Sequence, residues 1–332
     1  MERNRQAALT LLFLSPAVGE LISGSSPPLE FFNPVTMSTL VALYGCGALL
    51  IREAIVRWQK GVASLIMLGA AYGVYEEGLT VKSWFNPAWM DLGALGHYGR
   101  FGGVNWVWAV WLTVYHATIS IAFPIFMIDV LFPEFKGKRL LSDRDLKWPL
   151  AAFAAIGVIG FTLFPYYPGP EVLVAVGLTA AFVGLALAAP QYLFAPMAAH
   201  PARRVLPFAV FGAAWMGLSF AIYGGGEGLG LDPVADILLG LGFTAAVAAA
   251  LIVSIAPGAS ERYIYAFLSG CVAVFIAIGI ILGFVNQWAF LGQPIVAAVT
   301  AGLLIRVYLE NVKRWTAPTL TPSIASATPS VA

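Results

Sequence analysis

Apolar runs long enough to cross a bilayer recur along the whole chain, and they constrain its fold more than any other feature. Ten can be placed, at 7–23, 35–51, 61–79, 105–131, 149–166, 171–189, 206–223, 234–255, 264–284 and 295–310. About 20 apolar residues cover the hydrocarbon thickness. The runs lack the alternation of membrane β-strands, so helices are expected. A water-soluble fold of 332 residues could not hide a composition that is 60% hydrophobic and 11% charged. A bilayer accepts that surface, provided each backbone polar group is bonded within the protein. The expected fold class is therefore all-α: a polytopic helical membrane protein of about ten transmembrane helices.

Charge sets the expected orientation. With both termini in the cytoplasm, 16 of the 18 Lys and Arg residues fall on the inner side, and only Lys82 and Arg100 fall outside. The positive-inside rule predicts this asymmetry, and a missed or extra helix would spoil it. Nine acids collect at or near the outer side, among them Glu20, Glu30, Glu76, Glu77, Asp91, Glu227 and Asp236. An acidic outer face attracts cations or substrates with a basic group. A net charge of +1 gives no reason to expect nucleic-acid binding. Membrane lipid is the expected partner, with a small or cationic solute as a further candidate. A cell membrane, that of a prokaryote, is the expected location.

The charged interruption 133–148 divides the chain into a four-helix part, 1–148, which carries the candidate site, and a six-helix part, 149–314. Residues 315–332 are rich in Thr, Pro, Ser and Ala and read as a disordered tail. Cys46 and Cys271 fall inside apolar runs, read as small core residues, and make no disulfide framework. Met1–Arg5 ahead of an apolar run resembles a signal peptide but lacks a clear cleavage site, so it reads as a retained first helix. The third run ends Glu76-Glu77-Gly78-Leu79 and the seventh is followed by Glu227-Gly228-Leu229, which suggests a weak parallel repeat of the kind found in transporters.

The polar residues with chemical potential lie mostly in the first part. Glu20 sits in an apolar run just after Ser15-Pro16. The loop behind it, Ser23–Pro34, is too apolar for a freely solvated loop; it either packs over a cavity or rests at the headgroups through Phe31 and Phe32. Adjacent Glu76 and Glu77, if buried together, would resist double ionisation, and such a pair can act as acid and base, bind a cation or carry protons. The other reading is a helix terminus at the interface, with Lys82 neutralising the pair. His116 lies about 15 Å into the fourth run at 1.5 Å per residue. On these boundaries Glu77 stays nearer the surface than His116, and the two meet only if the helices tilt or the third extends outward. The segment 80–104 suits a lid or short interfacial helix, in which Arg100 could hold a carboxylate or phosphate or pair with an outer acid. Glu227 stands in a Gly-rich turn that could contribute to the same site. Arg52-Glu53 and Arg306 with Glu310 read as interfacial anchors or local pairs. No cofactor motif is present, no metal is expected, and the three histidines cannot meet on this map because His200 lies on the other side.

Two resemblances rest on these residues. Glu76-Glu77 with Lys82, followed by His116, resembles the CAAX-protease and bacteriocin-processing family of intramembrane proteases. That resemblance implies water activated by Glu76 or Glu77 with help from His116. The chain departs from the family pattern at Lys82, which is displaced by one position, at Leu112, where the family has Phe, and in lacking a third His motif. The segments Gly19-Glu20-Leu21, Ser26–Pro34 and Glu76–Leu79 are similar to uncharacterised prokaryotic multi-pass proteins. The leading expectation from the residues is a carrier or permease for a small solute, with Glu20, Glu76, Glu77, Lys82, Arg100, His116 and Glu227 as binding residues. An intramembrane hydrolase using Glu76, Glu77 and His116, and a non-catalytic complex subunit, stand beside it.

Overall fold

A computed structural model describes residues 2–199, 204–256 and 260–316. His200, Arg203 and the tail from 317 onward lie outside the described residues. Among the described residues, ten long helices occupy the positions of the ten apolar runs. The first, α1, spans Arg3–Pro16 and continues as Ala17–Ile22. Next come α2 (Pro34–Arg57), α3 (Val62–Val74, continuing as Tyr75–Thr80) and α4 (Trp106–Leu131). They are followed by α5 (Lys147–Leu163), α6 (Val172–Ala188), α7 (Leu206–Gly225), α8 (Pro233–Ser254), α9 (Ser260–Val285) and α10 (Gln293–Thr316). Among the described residues, six of them (α2, α4, α7, α8, α9 and α10) are long and apolar enough to cross a membrane, while α5 and α6 are shorter apolar helices. The chain is an all-α multi-pass membrane protein. α10 runs to Thr316, and Trp315 donates to Glu261, so the helix takes in the first two residues of the expected tail.

Each of the first four helices contains a π-helical stretch: Ala17–Ile22, Val41–Gly45, Tyr75–Thr80 and His116–Ala122. Such stretches interrupt the i→i+4 ladder and are frequent at functional sites. Two have a local cause in proline. Pro124 cannot donate to the carbonyl of Ser120, four residues earlier, and that carbonyl accepts the Ser15 hydroxyl of α1 at 2.7 Å. Pro16 likewise leaves the Leu12 carbonyl, and the backbone of α2 packs onto it at Gly45, where a Cβ would stand 2.2 Å from the oxygen. The interruptions are thus where α1, α2 and α4 come closest.

Packing does not follow the division at 148. α5 and α6 pack on α2 and α3, while α7, α9 and α10 pack together. α7 and α9 touch backbone to backbone: a Cβ at Gly212 would lie 1.9 Å from the Phe267 carbonyl, and one at Gly270 1.9 Å from that of Ala209. Small residues at such crossings are how helices associate in lipid, where apolar burial supplies no driving force. Cys46 and Cys271 are free and buried. Gln293 of α10 donates to the Leu21 carbonyl at 2.8 Å and ties the last helix to the first.

At one end of the bundle, Arg52 and Glu53 are buried rather than interfacial. Arg52 donates to the carbonyls of Phe135 and Lys138 at 2.8 and 3.0 Å, and Glu53 accepts from the Leu140 amide at 2.7 Å. They fix the 133–146 connection to α2. Arg306 and Glu310 form the expected i,i+4 pair at 2.7 Å.

At the other end, the segment between α3 and α4 is a folded cap. Its two-residue strands Arg100–Phe101 and Val104–Asn105 pair antiparallel around Gly102-Gly103. Both glycines have positive φ, 57° and 79°, as a tight hairpin of this hand requires. Asn105 accepts from the Trp108 amide at 3.1 Å, capping α4, and donates to the Leu95 carbonyl at 2.6 Å.

Candidate functional site

Glu77 and His116 meet where the end of α3 lies against α4. The π-helical stretch Tyr75–Thr80 of α3 carries both glutamates, and glycines let the helices close. A Cβ at Gly69 would lie 2.8 Å from the Ala117 Cα, and one at Gly73 3.0 Å from the His116 Cβ. His116 Nε2 then stands 3.0 Å from Glu77 Oε1, while Nδ1 stands 3.0 Å from Ser120 Oγ and 3.4 Å from Glu76 Oε2. In one neutral tautomer, Nε2 donates to Glu77 and Nδ1 accepts from Ser120; in the charged form both nitrogens donate.

The two carboxylates differ in what holds them. Glu77 is engaged at both oxygens, since Oε2 accepts a short hydrogen bond from Ser83, whose hydroxyl in turn receives Trp108 Nε1 at 3.0 Å. Glu76 is held more loosely: its Oε2 is buried and completes no well-formed hydrogen bond, although His116 Nδ1 lies 3.4 Å away and the hydroxyls of Tyr44 and Tyr72 stand beside the carboxylate. One ligand atom from each of Glu76, Glu77 and His116 falls within 4.8 Å of the others, so the three could hold a metal ion. The rings of Tyr44, Tyr72 and Tyr115 surround His116, with centroids 5.8, 5.9 and 5.4 Å away.

Glu20 joins the same chamber from α1. It accepts a short hydrogen bond from Tyr44 and one of 2.8 Å from Ser26. Gly19 makes room for the Tyr44 ring, because a Cβ there would lie 2.6 Å from it. The chamber has a volume of about 750 Å³ and runs from His116 and the glutamates to Asp91 at its rim. Desolvation, then the negative fields of Glu20 and Glu77, push the Asp91 carboxyl up to about 6. Phe31 in the preceding loop is buried and Phe32 is 61% exposed, so only one of the two rings packs inward.

Three expected binding residues lie elsewhere. Lys82 is fully buried, but its ammonium donates to the carbonyls of Phe161 and Phe164 at 2.5 and 2.9 Å, and its backbone sits at φ 62°. It closes the C-terminal end of α5, where unpaired carbonyls favour a cation, and it does not pair with Glu76 or Glu77. Arg100 donates to the carbonyls of Gly96, Trp84, Phe85 and Gly103, holding the cap together rather than an acid. Glu227 is exposed in the turn after α7 and does not line the chamber. α7 is continuous and lacks the π-helical extension of α3, so the two Glu-Gly-Leu segments occupy different local structures. His97 is exposed in the cap.

Tyr44, Tyr72, Tyr115, Ser120, Ser83 and Trp108 were not marked by the sequence. Ser120 had a findable signal, since it stands four residues after His116. Tyr44 had none, because its partner Glu20 belongs to another helix.

A buried carboxylate-histidine cluster inside a helical bundle of apolar surface defines the class: a multi-pass membrane protein with an ionisable centre among its first four helices. The chain belongs to a family described as an uncharacterized membrane protein family, whose pattern it matches over residues 9–306. No curated protein and no solved structure matches it.

Proposed function

We propose that the chain is an intramembrane hydrolase whose water and protons are handled by Glu76, Glu77 and His116. The observation that carries this reading is the placement of one histidine within reach of two buried carboxylates, in a chamber large enough for a substrate. Cavities of roughly 300–1,000 Å³ accommodate typical small-molecule ligands. Glu77, held by Ser83, orients His116. Glu76, the more loosely held of the two carboxylates, is the candidate base for a water proton, and His116 the candidate to pass it to a leaving group. Were a divalent ion held by Glu76, Glu77 and His116, it would supply Lewis-acid activation of that water in place of the proton transfers assigned to Glu76 and His116. The likeness to Glu-Glu/His intramembrane proteases points the same way. In this reading all ten helices cross the membrane, both termini are cytoplasmic, and the capped end with the chamber faces outward, in a prokaryotic plasma membrane.

One observation favours a second reading, the carriage of a cation or proton. Glu20, Glu76 and Glu77 face the chamber against a single imidazole, and buried carboxylates in membranes often mark ion pathways. One experiment separates the two. Purified wild type, Glu77→Gln and His116→Ala are incubated with a membrane extract and, in parallel, reconstituted into liposomes for cation and proton flux. A product formed by wild type and lost in both variants, with no flux, supports the hydrolase. Flux lost in the same variants without any product supports the carrier and overturns the first reading. Elution of each variant as a folded species is checked by gel filtration.

A further inference from the structure

The chamber opens at the capped end, where Ser25, Met90 and Asp91 are exposed, and it also reaches the flank of the bundle along one side. α5 packs on α2 through Val41–Arg57, and it packs on the π-helical end of α3. The latter contact is tight: a Cβ at Gly160 would lie 2.5 Å from the Thr80 methyl, and one at Gly157 1.7 Å from the Tyr75 hydroxyl. The first two turns of α2, Pro34–Leu40, make no comparable packing with α5. The two helices therefore diverge toward the capped end, and the chamber reaches the gap between them. Its lips are Val35, Thr36 and Thr39 on α2 and Ile156, Ile159 and Leu163 on α5.

These lips point away from the protein core. Val35, Ile159 and Leu163 are 75%, 46% and 74% exposed. On a multi-pass protein, apolar side chains exposed on the flank of a helix face lipid rather than water. A solute arriving from water has the mouth beside Asp91 to enter by and has no use for an apolar slot opening sideways. An alkyl chain in the bilayer could pass between these lips without leaving an apolar environment, and Leu40 and Leu43 continue the apolar wall inward.

The inner end of the slot restricts the polar group of such a molecule. Glu20, Glu76 and Glu77 stand there beside His116, Glu30 and Asp91 add two further carboxylates nearer the rim, and His116 is the one basic side chain among the lining residues. An anionic head such as a phosphate or carboxylate would meet repulsion strengthened by the low dielectric, whereas an ammonium would be attracted. We infer that the substrate is a single-chain alkyl amphiphile with an amine-bearing polar end, which enters laterally between α2 and α5. This rests on the hydrolase reading for what then happens to it, but the binding itself does not.

The test uses the full-length wild-type protein in phosphatidylcholine nanodiscs and a hexadecylamine carrying a photoreactive diazirine in its chain. Labelling is expected on peptides from 34–43 and 156–163. It should exceed that by the matching hexadecanoic acid about tenfold, equivalent to about 1.4 kcal/mol, and butylamine at equal concentration should not compete. Thr39→Trp and Ile159→Trp, which fill the lips, should each reduce labelling about tenfold, and the wild-type peptide map decides the matter if either variant fails to fold. Equal labelling by the acid, competition by butylamine, or label spread evenly over the lipid-facing helices would overturn the inference. Specific labelling without any turnover would count against the hydrolase reading alone. Turnover of a water-soluble compound without labelling would count against lateral entry alone.

Discussion

Gly69→Ala tests whether the site depends on the close approach of α3 and α4. The added Cβ would lie 2.8 Å from the Ala117 Cα and 2.9 Å from its carbonyl oxygen, both backbone atoms that cannot rotate away. Carbon atoms rest about 3.5–4.0 Å apart, so the helices must separate by about 0.7–1.2 Å. If that movement reaches the neighbouring His116, its 3.0 Å contact with Glu77 opens beyond the range of a hydrogen bond, which ends near 3.5 Å. Overpacking costs about 1–3 kcal/mol, and the better helix propensity of alanine returns about 0.5–1 kcal/mol. The net loss is about 0.5–2 kcal/mol, or about 1–3 °C in Tm at an unfolding entropy of about 2.1 cal/mol/K per residue. Gly177→Ala on α6 is the matched control, because nothing lies within 4 Å of its Cβ position. The assay is thermal unfolding of both variants in one detergent, together with activity once a substrate is in hand. Gly69→Ala should be less stable than wild type and impaired, and Gly177→Ala equal or slightly more stable. If Gly69→Ala is as stable as Gly177→Ala, the reasoning from close approach fails.

Further outcomes follow from the same contacts. Lys82→Ala should lower stability by about 1–3 kcal/mol, the cost of leaving two buried carbonyls without a donor, and thermal unfolding checks it; an unchanged Tm would mean that water replaces the ammonium. Arg52→Ala should cost about 1–3 kcal/mol in the same assay by leaving the carbonyls of Phe135 and Lys138 without their donor, while Glu53 keeps its 3.1 Å pair with Arg57; an unchanged Tm would mean that water replaces the guanidinium. Gly212→Ala and Gly270→Ala each bring a methyl to 1.9 Å of a facing carbonyl and should destabilise by about 1–3 kcal/mol, while Gly217→Ala on the open face of α7 should not. Chelation followed by addition of zinc or manganese, with metal content measured on wild type and Glu76→Gln/Glu77→Gln, decides whether the cluster binds an ion; loss of a stoichiometric metal in the double variant is the signature of a metal site.

The sequence carried the architecture because apolar length is a direct consequence of bilayer thickness. Each of the ten runs coincides with a long helix, and even the shortest, 206–223 and 295–310, fall within α7 and α10. It also marked the four acidic and basic groups that converge, Glu20, Glu76, Glu77 and His116, since ionisable side chains in apolar runs stand out. What it did not carry was their register. An ideal helix through 61–79 leaves Glu77 and His116 at different depths, and the π-helical stretch Tyr75–Thr80 that carries Glu77 has no proline to announce it. Lys82 and Arg100 misled for a related reason. Their partners are backbone carbonyls at the end of α5 and within the cap, which no side-chain pattern announces. The lateral gap between α2 and α5 is likewise a property of how two apolar helices diverge, not of which residues they contain.

The most direct test of the hydrolase site is oxygen-isotope incorporation. Wild type, Glu77→Gln and His116→Ala are incubated with a membrane extract in water enriched in oxygen-18, and products are read by mass spectrometry. A wild-type product carrying one heavy oxygen, absent from both variants, is the expected result. A labelled product formed equally by His116→Ala, or a wild-type product that carries no heavy oxygen, would contradict the assignment of Glu76, Glu77 and His116 to the activation of water.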